Sequence, residues 1–196
     1  QGKVTKSTPF GSPDMPLNPM LFALSAGATF IARTYDVDPK GMKEVFKEAV
    51  EHKGTSFVEI YQNCNIFNDG TFSQIYERPV RDEKILNLKH GEPLIFGKNQ
   101  NKGIMLKGLK PEIAEVEEGF NKDDILKHDQ YSSDSTLANL LSNFNYPEFP
   151  VPMGVLRQIK YDTYGEIIEK QINSQLDKLG KGKLTDLLRG THVWTN

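Results

Sequence analysis

TFIARTYDVDPKGMKEVFKEAVEHKGTSFVEIYQNC, residues 29–64, decides how this chain folds. In its middle, Asp38 offers a side-chain acceptor to the free N–H groups of a helix start, and Pro39 fits the first helical position, where no N–H is needed. Met42, Val45, Phe46, Ala49 and Val50 follow three and four apart, which predicts one apolar stripe on a helix. Glu44, Lys47, Glu48 and Glu51 take the wet face, His52 and Lys53 suit the negative helix end, and Gly54 fits a left-handed cap. The β-branched and aromatic residues of TFIARTY (29–35) and TSFVEIYQNC (55–64) predict a strand on either side. Strand, capped helix and strand make a βαβ unit, and hence a parallel pair. Ligands of open parallel sheets bind just beyond the carboxyl ends of strands, and Cys64 lies at such an end.

Upstream, Asn18 and Pro19 predict another helix start, leading into the apolar run MLFALSAGATFI (20–31). That run carries Ser25, Gly27 and Thr29 and falls well short of the ~20 apolar residues of a membrane span, so it reads as core. From about residue 79 the character changes to short apolar runs split by polar turns. PLIFG and GIMLKG, with KNQNK between them, predict a hairpin looping over 98–102, and KPEIAEVEE (110–118) a further strand. DDILKHD (123–129) predicts a short helix. STLANLLSNF (135–144) predicts a longer one with Leu137, Leu140, Leu141 and Phe144 on one face. YPEFPVPMG (146–154), with three prolines, reads as an extended connector. Ile168, Ile172, Leu176 and Leu179 share a helical face that Gly180 and Gly182 end, and LTDLLRG (184–190) adds a turn or two of helix.

Composition bounds the function. Across 196 residues, 24 basic residues against 26 acidic ones leave no basic stripe for nucleic acid and no cationic amphipathic helix for a membrane surface. The single cysteine excludes an internal disulfide and fits a reducing cytoplasm. A chain that opens on Gln1 without a signal peptide reads as part of a longer polypeptide.

Cys64, in EIYQNCNIFND (59–69), admits three readings: a small buried hydrophobe, a nucleophile wanting a nearby histidine, or one metal ligand whose companions lie outside this chain. His52, His90, His128 and His192 sit in helix-end or loop contexts and none is placed as its base. The carboxylate pairs Asp82–Glu83, Glu117–Glu118 and Asp123–Asp124 read as solvated charge. Neither GxGxxG, GxxxxGK[ST] nor GDG occurs, and KGKLT (181–185) is a helix break. KVTKSTPFGSP (3–13) reads as a surface loop or an active-site loop, in which Lys6, Ser7 and Thr8 offer donors to an anion.

QGKVTKSTPFGSPDMPLNP (1–19), SAGATFIARTYDVDPK (25–40), HKGTSFVEIYQNCNIFND (52–69) and HGEPLIFGKNQNKGIMLKG (90–108) closely resemble the β subunit of 2-oxoacid:ferredoxin oxidoreductases, nearest to the 2-oxoglutarate type. FPVPMGVLR (149–157) and DLLRGTHVW (186–194) extend the resemblance almost end to end. It implies an α/β fold, the C-terminal part of a thiamine-diphosphate-binding fold with a parallel sheet, over residues 1–78. The family's C-terminal extension, made of short strands and helices, would follow over 79–196, packing on the fold and on the α subunit. The implied reaction is oxidative decarboxylation of 2-oxoglutarate to succinyl-CoA, using thiamine diphosphate, Mg2+ and coenzyme A, with electrons passing through a [4Fe–4S] cluster to ferredoxin. Pyruvate or a branched-chain oxoacid as substrate, or a non-catalytic α/β interaction module, are the alternatives. In the family four cysteines hold the cluster, three of them near the N-terminus. The strand-end motif matched by YQNCN makes Cys64 the fourth, with Asn63 and Asn65 as candidate hydrogen-bond donors to sulfur. Lys6, Ser7 and Thr8 match a segment near the thiamine cofactor. The family's GDG and GLTKGQ motifs are absent from this sequence, so the chain alone is expected to be inactive, and apolar surface is expected to lie exposed on it.

Overall fold

The computed structural model describes residues 2–66, 68–115 and 122–190, so His192 and the pair Glu117–Glu118 lie outside the described residues. The chain divides into two compact units, Gln1–Lys160 and Tyr161–Asn196.

The first unit opens with helix α1 (Pro19–Ser25). Asn18 caps it by accepting from the Leu21 N–H at 3.1 Å, and its amide also donates to the Ser142 carbonyl at 2.9 Å. Strand β1 (Phe30–Tyr35), helix α2 (Pro39–Glu51) and strand β2 (Ser56–Tyr61) form the expected βαβ unit, with β1 and β2 parallel in the register Phe30–Ser56 to Tyr35–Tyr61. Asp38 caps α2 through the Gly41 N–H at 3.1 Å. The other end of the helix differs from expectation. His52 closes α2 in an extended conformation, and Gly54, at φ 137, is required instead by a close approach, since a Cβ there would collide with Thr29 Oγ1.

Two single-turn helices, α3 (Ser73–Tyr76) and α4 (Arg81–Lys84), lead into strand β3 (Ile85–Asn87). Strands β4 (Ile95–Phe96), β5 (Lys102–Lys107) and β6 (Lys110–Glu115) form an antiparallel meander, which confirms the hairpin over 98–102 and the strand after it. The short helix expected at 123–129 is reduced to a 3-10 turn at Lys122–Asp124. Beyond it the backbone runs extended, because Leu126 and His128 exchange backbone hydrogen bonds with Leu94, Ile104, Gly91 and Glu92 at 2.8–2.9 Å. Helix α5 (Thr136–Ser142) forms as expected.

Strand β7 (Val151–Gln158) replaces the connector expected at 146–154. It runs antiparallel to β1 over Gly154–Gln158 and parallel to β3 over Val151–Met153, giving a mixed sheet of order β2-β1-β7-β3. Pro152 is tolerated because the ladder to β1 starts only at Gly154. The sheet thus takes two strands from before residue 78 and two from after it. Its α2 face buries Phe30, Ala32, Val45 and Val155. A larger core gathers Met20, Ile31, Leu86, Leu94, Ile104, Leu141, Phe144 and Leu156.

The second unit holds helices α6 (Tyr164–Leu179) and α7 (Leu184–Arg189). A reciprocal capping box joins Thr163 and Glu166 at the start of α6, and Gly180 ends it, as expected.

Candidate functional site

The turn after β2 is built outward from the sheet. Tyr61, the last residue of β2, stacks on Phe72 with ring centroids 4.4 Å apart, and the Arg33 guanidinium lies 5.2 Å from the centre of the Tyr61 ring. Arg33 is only 2 % exposed and is held by Glu59 at 2.6 Å, the residue opposite it in the β1–β2 register. Burial pushes the Tyr61 phenol up, so it stays protonated in the physiological range. Where β1 ends, Asp36 receives the Asn63 N–H at 3.1 Å and donates its own N–H to the Tyr61 carbonyl at 3.1 Å. The two carboxyl ends are thereby sewn together immediately before Cys64.

Cys64 is half-buried and faces Asn68 across an isolated antiparallel bridge, the Asn68 N–H donating to the Cys64 carbonyl at 2.9 Å. Asn63 is the hub of the turn. Its amide donates to Asn65 Oδ1 at 2.7 Å and to Asp69 Oδ1 at 2.9 Å, while its Oδ1 accepts the Gly70 N–H at 2.8 Å. Both amide hydrogens of Asn63 go to oxygen, so this side chain is not the donor to sulfur that the sequence suggested. Among the described residues Cys64 follows an edge strand of the sheet.

Each histidine among the described residues is engaged by a partner other than Cys64. His52 pairs with Thr29 Oγ1 at 2.8 Å, His90 with Asp129 at 3.5 Å, and His128 with the Val155 carbonyl at 2.8 Å. Burial lowers the pKa of both His52 and His128.

The opening loop brings Ser7 and Thr8 together through Thr5, whose hydroxyl lies 3.1 Å from Ser7 Oγ and 2.7 Å from Thr8 Oγ1. Thr8 also donates to the Lys3 carbonyl at 3.2 Å, while Lys6 and Ser7 are exposed. These hydroxyls bond within the loop, and the Lys6 side chain faces solvent. A separate cavity of ≈ 440 Å³ opens at the carboxyl ends of β1 and β3 beside α2, with Thr34, Glu48, Asn87, Lys89, His90 and Gln130 among its walls.

No family model matches the chain. It is 36% identical over 197 residues to 2-oxoglutarate oxidoreductase subunit KorB of Mycobacterium tuberculosis, a match that covers 99% of this chain and 52% of that protein. The chain is a homologue of the β subunits of 2-oxoacid:ferredoxin oxidoreductases. A 2-oxoacid:ferredoxin oxidoreductase subunit beta of Saccharolobus solfataricus is 38% identical over 79 residues, which is 40% of this chain and 26% of that one. A solved 2-oxoglutarate:ferredoxin oxidoreductase from Magnetococcus marinus, with 2-oxoglutarate, coenzyme A and succinyl-CoA bound, superposes with a TM-score of 0.56 at 21% identity, over 96% of this chain and 48% of that one. The fold is therefore that of part of such an oxidoreductase chain, and the α/β expectation holds. The chain spans about half the length of the relatives it matches across its whole extent.

The donor chemistry of the turn suits one corner of an iron–sulfur cluster. It offers one half-buried thiol at a strand end, and no group of three or more His, Cys, Asp or Glu side chains among the described residues gathers to hold a metal ion. Arg33, Glu59, Asp36 and the role of Asn63 escaped the sequence reading. The signal was there in the parallel register, which sets Arg33 opposite Glu59 and Asp36 just past Tyr35.

Proposed function

We propose that this chain is part of the β subunit of a 2-oxoglutarate:ferredoxin oxidoreductase, with Cys64 as one thiolate ligand of its [4Fe–4S] cluster. The observation that carries this reading is a half-buried thiol on a braced turn at a strand end, in a chain 36% identical to a 2-oxoglutarate oxidoreductase subunit. The sequence holds a single cysteine, so the other three thiolates come from outside these 196 residues. Thiamine diphosphate with Mg2+ supplies the carbanion chemistry of decarboxylation when bound, at a site mostly outside this chain. Lys6, an exposed cation of the opening loop, would meet its phosphates, with Ser7 and Thr8 holding the loop in shape. The α subunit, ferredoxin, coenzyme A and the 2-oxoacid are the partners. The single cysteine fits the reducing cytoplasm, and no helix among the described residues is long and apolar enough to cross a membrane.

In this scheme the chain's own residues hold and place. Tyr61, Phe72 and the Arg33–Glu59 pair fix the end of β2, Asp36 fastens the next turn of backbone, and Cys64 is presented from it. The test is reconstitution of the full-length protein with iron and sulfide. Cys64→Ala is expected to abolish or convert the reduced-cluster paramagnetic signal, and an unchanged signal would refute the assignment. The 196-residue chain alone is expected to show no oxoacid-dependent dye reduction, and robust turnover by it would favour a different enzyme.

A further inference from the structure

Asn63 makes three side-chain hydrogen bonds within its turn and a fourth, through its backbone N–H, to Asp36 past the end of β1. Its amide nitrogen reaches Asn65 Oδ1 and Asp69 Oδ1, its amide oxygen takes the Gly70 N–H, and its own N–H is taken by Asp36 Oδ2. The orientation of the amide is dictated by its partners, because turning it over would set oxygen against two oxygens and nitrogen against an N–H. The next residue is Cys64, whose carbonyl takes the Asn68 N–H. Among its described residues the turn has the isolated Cys64–Asn68 bridge but no helix or strand ladder, and such a segment opens readily unless side chains close it.

We propose that Asn63 is the positioning residue of the cysteine turn. It ties Asn65, Asp69 and Gly70 to the residue before Cys64, while Asp36 ties that same residue to the end of β1, so that the thiolate is presented in one place. The inference rests on Cys64 being a cluster ligand, as proposed above. Asparagine suits the task because it carries donors and an acceptor on one short planar group. Aspartate keeps the acceptor for Gly70 but sets a carboxylate oxygen against Asn65 and Asp69, and alanine keeps neither. A fixed ligand carrier matters to an iron–sulfur centre because the groups behind the ligands tune its affinity and potential.

The Gly70 amide reports the clamp directly, with no cluster needed. In the full chain, Asn63→Ala and Asn63→Asp are expected to speed hydrogen exchange at Gly70 about tenfold or more. Asp69→Asn, which keeps an oxygen for the Asn63 amide, is expected to stay within about twofold of the parent, and it controls for simple failure to fold. In the cluster-loaded enzyme the two Asn63 variants are expected to shorten cluster lifetime in air about tenfold and to shift the midpoint potential, with Asp69→Asn near the parent. Unchanged Gly70 exchange in Asn63→Ala overturns the clamp whatever Cys64 binds. Faster exchange with an unaltered cluster lifetime and potential overturns the positioning role. A cluster that survives Cys64→Ala overturns the assignment on which the role rests, and that result is read independently of Gly70.

Discussion

His128 is 1 % exposed, and its Nε2 lies 2.8 Å from the Val155 carbonyl, while its Nδ1 is buried without a partner among the described residues. Burial lowers its pKa, with the bond to Val155 working in the opposite direction and the nearby His90 adding to the lowering. The unfolded chain therefore binds a proton that the folded chain refuses. Stability is unaffected by this group above the ordinary histidine value of ~6.5, falls as pH drops through that value, and levels off below the lowered folded one. Denaturant midpoints measured from pH 8 down to 5 should show this fall, and His128→Leu should flatten it. Arg33 and Glu59 make the second prediction at this scale. Glu59→Ala leaves a guanidinium that is 2 % exposed without its partner, and is expected to cost about 3–5 kcal/mol in chemical denaturation. Arg33→Met with Glu59→Leu should cost much less, and a double-mutant cycle separates the two effects. Neither histidine nor arginine was legible in the sequence, because a charged or titratable residue reads as surface until the fold covers it. Cys64 was legible as a strand-end thiol, since its place depends only on where β2 stops.

The apolar stripe of α2 reads as one face in the sequence, yet the structure splits it. Val45 is buried and Ala49 packs beside it on Phe30, Ala32, Val58 and Val155, whereas Phe46 is 39% and Val50 85% exposed. The row Met42, Phe46, Val50 forms the wall of a shallow open groove instead. Val45→Ala is expected to destabilise by about 2 kcal/mol and Val50→Ser to change stability by less than ~0.5 kcal/mol, both measured by denaturant titration. In α6 the Thr163–Glu166 box satisfies helix-start donors, so Thr163→Ala should cost about 1 kcal/mol of helix stability, seen as lost ellipticity on mild heating. Elements set by local rules came out of the sequence well: both proline-opened helices, the βαβ unit, the 98–102 hairpin and the glycine-ended α6. Strand β7 did not, because its surrounding prolines argue locally for a connector and only pairing with β1 and β3 makes it a strand. The helix expected at 123–129 failed for the same reason, as the backbone of Leu126 and His128 finds strand partners.

At the scale of the whole chain, exposed apolar side chains stand out. Phe10 is 100%, Leu109 95%, Ile66 84% and Phe22 63% exposed, and among the described residues β2 is an edge strand, with its outer hydrogen-bonding row unpaired. Expressed by itself, the chain is expected to associate, with a weight-average mass in light scattering that rises with concentration. A monodisperse monomer would show that this surface needs no cover. The boundary expected at residue 78 runs through one sheet, two of whose strands precede it and two follow it, while the compact units part at residue 160.

Local signals along the chain suffice for the parallel β1–β2 pair, the capped helix between them and the strand-end position of Cys64, because caps, apolar spacing and β-branched runs act over a few residues. Tertiary structure alone decided that β7 sits antiparallel to β1 in the middle of the sheet, that Arg33 and Glu59 meet inside it, and that Asn63 spends its amide on oxygens. Those outcomes depend on pairing between residues far apart in the chain, or on burial that only neighbouring elements create, and neither leaves a local mark in the order of the amino acids.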